Sequence, residues 1–298
     1  MPIHPFEYHA PRDLSEAVGL KARLGSNAKV LAGGTDLLPA LKSRAIRPSA
    51  VISLHAIQDL DYVVKVNGHL RVGALALHAD LAQNQLIKDT IPILAQACNL
   101  IGSWQIRNTA TIGGNLCNAS PVADAAGPLL VLNAAVILQG PEGSREVTLQ
   151  NFFTGPGATD LKPDELLKEI RIPLPGAGSA GCYLKLMRRK ALDLALVGVA
   201  IQTEPNLADG TLGKVAIALG GVAPTPIRVP EAEELLTGLS FADAARAVSE
   251  TARKAVAASN PISDVRASAE YRRRITEMYV SKGLKALLET LDQRSIPS

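Results

Sequence analysis

The chain has 298 residues, 47% of them hydrophobic and 20% charged, which is enough apolar material to bury a core in two or three modules and too much for disorder. Its formal charge of +3 is spread along the sequence, with one basic run at Arg272, Arg273 and Arg274, and an aromatic content of 3% leaves little for base stacking, so no nucleic-acid partner is expected. Neither a signal-peptide pattern nor a stretch of roughly 20 apolar residues occurs, which predicts a cytoplasmic protein with no membrane span, and Cys98, Cys117 and Cys182 are too scattered for a disulfide framework or a metal set.

In chain order, a helix is predicted after Pro11, capped by Asp13 and carrying Leu14, Ala17, Val18, Leu20 and Leu24 on one side. A short strand then runs into Ala32-Gly33-Gly34-Thr35-Asp36, and another strand follows at 50–54. Two β-rich runs flank Asn67-Gly68, a hairpin signal because both residues tolerate the positive φ of a type I′ turn. Residues 79–102 read as helical with a break near Pro92, leading to a second glycine pair, Gly113-Gly114. Residues 134–149 read as strand, turn and strand, and DELLKEIRIPLP closes the region in prolines. Pro173, Pro175, Gly176, Gly178 and Gly181 mark a boundary. Gly176-Ala-Gly178-Ser-Ala-Gly181 matches G-x-G-x-x-G formally but lacks the preceding strand and following helix, so it reads as a linker. A separate α+β module follows, with a strand and loop at 214–228 and helices near 230–236, 241–258 and 267–291.

The two glycine pairs carry the functional signal. A chain keeps adjacent glycines where φ must be positive or where another group must approach the backbone closely. The pairs lie about eighty residues apart in sequence, too far for one strand–turn–helix unit, which takes about thirty residues, yet they can converge in space. Backbone N–H groups in such loops form anion nests, and the hydroxyls of Thr35 and Thr111 add donors, so two loops together suit a diphosphate. No G-x-x-x-x-G-K-[ST], H-E-x-x-H or G-x-S-x-G accompanies them, and the five histidines, all before residue 80, show no ligand spacing.

AGGTDLLP, QIRNTATIGGNL, NASPVADAAGPLL and SDVRASAEYRRRI, in this order and spacing, resemble the FAD-binding medium subunit of molybdenum hydroxylases, the group of CO dehydrogenase and the xanthine dehydrogenases. The resemblance implies an α+β fold: a two-subdomain FAD-binding clamp of the PCMH type, 1–57 and 58–176, followed by a small C-terminal domain, 177–298, of the CO-dehydrogenase-flavoprotein kind. Noncovalent FAD is implied, with Lys29, Leu31, Ala32, Gly33, Gly34, Thr35 and Asp36 from the first loop and Thr111, Gly113, Gly114 and Asn115 from the second. Asp124 matches an acidic residue near the ribityl and adenosine portion, and Lys185 a lysine near the isoalloxazine. Read without the family, Asp124 equally caps a helix beginning at Ala125, and Lys185 equally is a charge at a strand end.

Two departures sharpen the resemblance. Leu194 stands where the CO dehydrogenase branch has an aromatic residue, which argues against CO as the complex's substrate, and no cysteine-rich insertion for a further cluster follows Cys117. The implied role is electron transfer in a hetero-oligomer, a dimer of heterotrimers. A large partner holds the molybdenum cofactor and a small partner the 2Fe-2S clusters; this chain's FAD collects electrons singly and delivers pairs to an external acceptor. No catalytic acid, base or nucleophile is implied. The rivals are a self-contained FAD-dependent oxidoreductase of the same clamp fold, to which Cys117 offers a covalent tether, and a redox-inert nucleotide-binding module.

Overall fold

The computed structural model describes residues 3–189 and 192–295, so Lys190, at the end of the YLKLMRRK block, lies outside it. Asp13 caps the first helix as predicted: its carboxylate accepts the Glu16 N–H at 2.8 Å, and α1 (Leu14–Leu24) turns Ala17 and Val18 inward. They pack on a parallel sheet of β1 (Glu7–His9), β2 (Ala28–Leu31) and β3 (Ala50–Ser53). The central strand, β3, is buried at every position, as a strand covered on both faces must be. Between β2 and β3 the chain passes through the first glycine pair into α2 (Leu37–Lys42).

The middle region opens with the predicted hairpin, β4 (Val63–Val66) and β5 (His69–Gly73), turning through Asn67 at φ 49° and Gly68 at φ 76°. The helical stretch after it is three helices, α3 (His78–Gln83), α4 (Gln85–Thr90) and α5 (Pro92–Asn99). Asn84 ends α3 and caps α4 through the Ile87 N–H at 3.2 Å, and Pro92 starts α5 at a position where its missing N–H costs nothing. Short helices α6 (Trp104–Arg107), α7 (Ile112–Cys117) and α8 (Ala126–Val131) lead to the hairpin β6 (Ala135–Gly140) and β7 (Gly143–Thr148). Helix α9 (Leu149–Phe152), a small ribbon of β8 (Phe153–Gly155) and β9 (Ala158–Thr159), and β10 (Leu166–Pro173) complete the region.

The proline-ended DELLKEIRIPLP segment is not merely a closing stretch. It supplies β10, the central strand of an antiparallel sheet ordered β4-β5-β10-β6-β7, and Pro173 is accommodated at the strand's last position.

The C-terminal region pairs β11 (Ala180–Leu186), β12 (Val197–Asn206), β13 (Thr211–Gly220) and β14 (Ile227–Arg228) in sequence order, backed by α10 (Pro230–Glu234), α11 (Phe241–Ala257) and α12 (Ala269–Ser295). All three helices begin within two residues of their expected starts, whereas β11 and β12 are additional to the predicted strand. Its sheet serves two cores. Val199, Ile201, Ile217 and Leu219 point to α11 and α12, while the alternate residues Ala200, Ala216 and Ala218 join Tyr183 in the core of the middle region. The module is therefore not detached from the rest of the molecule. Among the described residues no helix is long and apolar enough to cross a membrane.

Candidate functional site

Chain segments eighty residues apart meet at the C-terminal end of β2. Gly33 sits so close to the segment preceding α7 that a Cβ there would strike the Thr109 carbonyl, with Ala110 Cα at 2.9 Å. Gly34 has φ 73° and leads into α2, whose first turn closes with Leu38 N–H donating to the Gly34 carbonyl at 2.9 Å. Asn118 Nδ2 bridges the two segments by donating to Asp36 Oδ1 at 3.3 Å. Convergence of the glycine pairs is thus a property of the fold.

The two pairs work differently. In the first loop the N–H groups of Gly34, Thr35 and Asp36 take no backbone partner among the described residues, so they remain for a ligand. The second pair corrects the nest expectation. Gly113 and Gly114 form the first turn of α7, and the amides there are spent internally: Ile112 on Ala76 O (3.0 Å), Gly113 on Ala74 O (2.9 Å), Gly114 on the capping Thr111 Oγ1 (3.1 Å) and Asn115 on Thr111 O (3.0 Å). Gly113 is required for proximity, since a Cβ would lie 2.6 Å from the Ala74 carbonyl oxygen. What this segment offers instead is the Asn115 Oδ1, buried with no hydrogen-bond partner, and the Thr111 hydroxyl proton.

These segments wall a cleft of about 900 Å³. Eleven of the thirteen expected residues line it: Lys29, Ala32, Gly33, Gly34, Thr35, Asp36, Thr111, Gly113, Gly114, Asn115 and Asp124. Leu31 packs beneath the first loop, near Gly34, and Lys185 stands behind Asp124. Leu54, Leu75, Ile101 and Ile106 make apolar walls, Lys21 and Lys162 add cations, and Asp193 and Leu194 contribute from the C-terminal region. Lys21, His78, Asn118 and Lys162 had no distinguishing sequence signal; each reads as an ordinary helix or loop residue until the chain folds around it.

Asp124 does not cap α8, which begins with no side-chain cap, and Lys185 is no exposed strand-end charge. Both are buried and paired: Lys185 Nζ donates to Asp124 Oδ2 at 2.8 Å and to the Leu100 carbonyl at 2.9 Å. Burial raises the Asp124 carboxyl, and Lys185 and Tyr183 oppose that shift. Burial likewise raises Asp36 and lowers Lys21, the latter helped by Lys29. Cys117, the residue that would offer a covalent tether, keeps surface exposure and lies on the cleft wall.

A cleft with apolar walls, free amides, cations and an unpaired buried amide oxygen suits a phosphate-bearing aromatic cofactor, and an FAD diphosphate fits this donor set. Residues 4–175 match the family described as the FAD binding domain in molybdopterin dehydrogenase, and residues 182–287 the CO dehydrogenase flavoprotein C-terminal domain. The carbon monoxide dehydrogenase medium chain of Hydrogenophaga pseudoflava is 35% identical over 281 residues, covering 94% of this chain and 96% of that one. The xanthine dehydrogenase FAD-binding subunit of Escherichia coli O157:H7 is 33% identical over 278 residues, covering 92% and 93%. A solved structure of the Hydrogenophaga enzyme lacking the Mo-pyranopterin moiety superposes with a TM-score of 0.91 at 36% identity, covering 96% and 98%. The chain belongs to the FAD-binding subunits of the molybdenum hydroxylase family: an α+β flavoprotein, part of an oxidoreductase.

Proposed function

We propose that this chain is the electron-relay subunit of a molybdenum hydroxylase complex, taking electrons from 2Fe-2S clusters on a small partner and passing them to an external acceptor, while a large partner holds the molybdenum cofactor and oxidises the substrate. The observation that carries this reading is that the cleft's carboxylates are all engaged. Asp124 is paired with Lys185 and Glu165 is held bidentately by Arg145 at 2.7 and 2.8 Å. Asp193 accepts the Arg188 and Arg189 amides, and Asp36 accepts Asn118. His78 is buried with neither ring nitrogen bonded. Among the described residues lining the cleft no carboxylate stands without a partner, which favours the relay over a self-contained flavin oxidase that needs a group to move a substrate proton.

FAD supplies the conversion between single-electron and paired-electron transfer. The chain binds and orients it. The amides of Gly34, Thr35 and Asp36, with Lys29, would hold the diphosphate, and Ala32, Gly33, Thr111, Gly113, Gly114 and Asn115 would complete the walls around it. Leu31 packs near Gly34 in that loop, and Asp124, backed by Lys185, would present its carboxylate to a polar edge of the cofactor. Leu192 and Leu194, which line the cleft, are more than half exposed, which leaves room for electron exchange. Relatives named for carbon monoxide and for xanthine resemble this chain almost equally, at 35% and 33%, in keeping with substrate choice residing on another subunit.

Anaerobic rapid mixing tests the reading. The purified chain with FAD should be bleached by dithionite but not by aldehydes, purines or N-heterocycles, and adding the iron–sulfur and molybdenum subunits should make one such substrate reduce it within the turnover time. Rapid reduction by such a substrate in the chain alone would overturn the relay.

A further inference from the structure

Asp124 has a second partner that the family resemblance does not supply. Tyr183 Oη donates to Asp124 Oδ1 at 2.7 Å, on the carboxylate oxygen that Lys185 leaves free, and both the hydroxyl and the carboxylate are buried. Asp124 precedes α8 in the middle region, whereas Tyr183 and Lys185 lie two residues apart on one face of β11 in the C-terminal sheet. The Tyr183 N–H donates to Gln96 Oε1 on α5 at 2.8 Å, and Lys185 reaches the carbonyl of Leu100 just beyond that helix.

The slot for the ring is built by small residues. A Cβ on Gly198, directly across the ladder from Lys185, would lie 2.9 Å from the Tyr183 hydroxyl, and one on Gly127 would lie 3.7 Å from its ring. Asp124 lines the cleft, while Tyr183 and Lys185 stand behind it.

We propose that Tyr183 and Lys185 are positioning residues, which grip the two oxygens of Asp124 from the C-terminal sheet and thereby set its orientation and charge toward FAD. This rests on the reading of Asp124 as a cofactor contact. The grip makes affinity for FAD depend on docking of the C-terminal module, although neither anchor need touch the cofactor. Charge-assisted hydrogen bonds are worth about twice neutral ones, so losing one anchor should be felt clearly at the carboxylate.

The experiment measures FAD affinity of the apo full-length chain by flavin fluorescence from pH 5 to 9, with thermal stability of each apo variant recorded beside it. Tyr183→Phe should raise Kd about tenfold, and Lys185→Met should raise it further. Gly198→Ala, which pushes on the hydroxyl without removing it, should reproduce the Tyr183→Phe effect. The titratable groups facing Asp124 are Tyr183, Lys185 and the buried Cys98 thiol. In Tyr183→Phe the acid limb of the affinity profile should move to higher pH, and in Asp124→Asn it should vanish, shifts that loosened packing alone would not produce. If Lys185→Met fails to fold, Tyr183→Phe and Gly198→Ala still decide the matter. Weakened binding in Asp124→Asn with a wild-type profile in Tyr183→Phe would overturn the positioning role and leave the cofactor contact standing. Wild-type affinity in Asp124→Asn would overturn both.

Discussion

His78 shows what a single buried side chain costs. It lies at the start of α3 with no exposed surface and neither nitrogen hydrogen-bonded, and burial, with nearby Arg107, pushes its pKa down to about 4. The unfolded chain would titrate at the usual value near 6.5, so between those values it binds more protons than the folded chain. Stability from this residue is complete above about pH 6.5 and falls as the pH drops toward about 4, by roughly 3 kcal/mol across the window at 1.36 kcal/mol per unit. Urea midpoints of the apo protein at pH 7, 5.5 and 4 should therefore decline in the wild type and decline less steeply in His78→Leu. Parallel declines in the two proteins would assign the acid sensitivity to other groups.

At the scale of elements, glycines that look alike in sequence separate into three kinds. A Cβ on Gly19 in α1 would meet nothing within 4 Å, so Gly19→Ala should stabilise the helix by up to about 1 kcal/mol and leave FAD binding alone. Gly34→Val must adopt positive φ with a β-branched side chain near Leu31 and Leu38, costing about 2 kcal/mol and reshaping the free amides. Gly113→Ala meets a backbone carbonyl that cannot move aside, at a cost of about 1–3 kcal/mol. Melting temperatures and FAD titrations of the three variants check this, and near-native affinity in both Gly34→Val and Gly113→Ala would show that the glycine pairs do not shape the cofactor site. The same residues show how far the sequence was legible. Asp13, Asn67-Gly68 and the helices after Pro230 were readable because local hydrogen bonding and φ preferences decide them. That Gly113-Gly114 is a helical turn depends on carbonyls of Ala74 and Ala76, nearly forty residues away, which no local pattern contains. Strand β12 was illegible for a related reason: buried on both faces, it lacks the polar–apolar alternation that marks a half-exposed strand.

The sheet shared between two cores makes the whole molecule less divisible than its two consecutive family matches suggest. If the chain is cut between Leu174 and Ser179, the N-terminal fragment loses Tyr183, Ala200, Ala216 and Ala218 from its core, and Asp124 loses both anchors. Burying apolar surface contributes roughly 25 cal/mol per Å², so exposing the cover of α8 removes several side chains' worth of stabilisation while stranding a buried carboxylate without its ammonium. A fragment of residues 1–175 should accordingly bind a hydrophobic dye and fail to retain FAD on gel filtration, although it contains both glycine loops. Coexpression with residues 176–298 should restore a one-to-one complex with bound FAD, because Arg228 also bridges the two parts, donating to the Leu130 carbonyl at 3.0 Å and to Asn133 at 2.9 Å. Tyr183→Phe in the C-terminal fragment should permit docking yet give a complex that releases FAD faster, separating coverage of the core from control of Asp124. Full FAD retention by residues 1–175 alone would show that the first two subdomains are a self-sufficient clamp and that the shared sheet matters only for solubility.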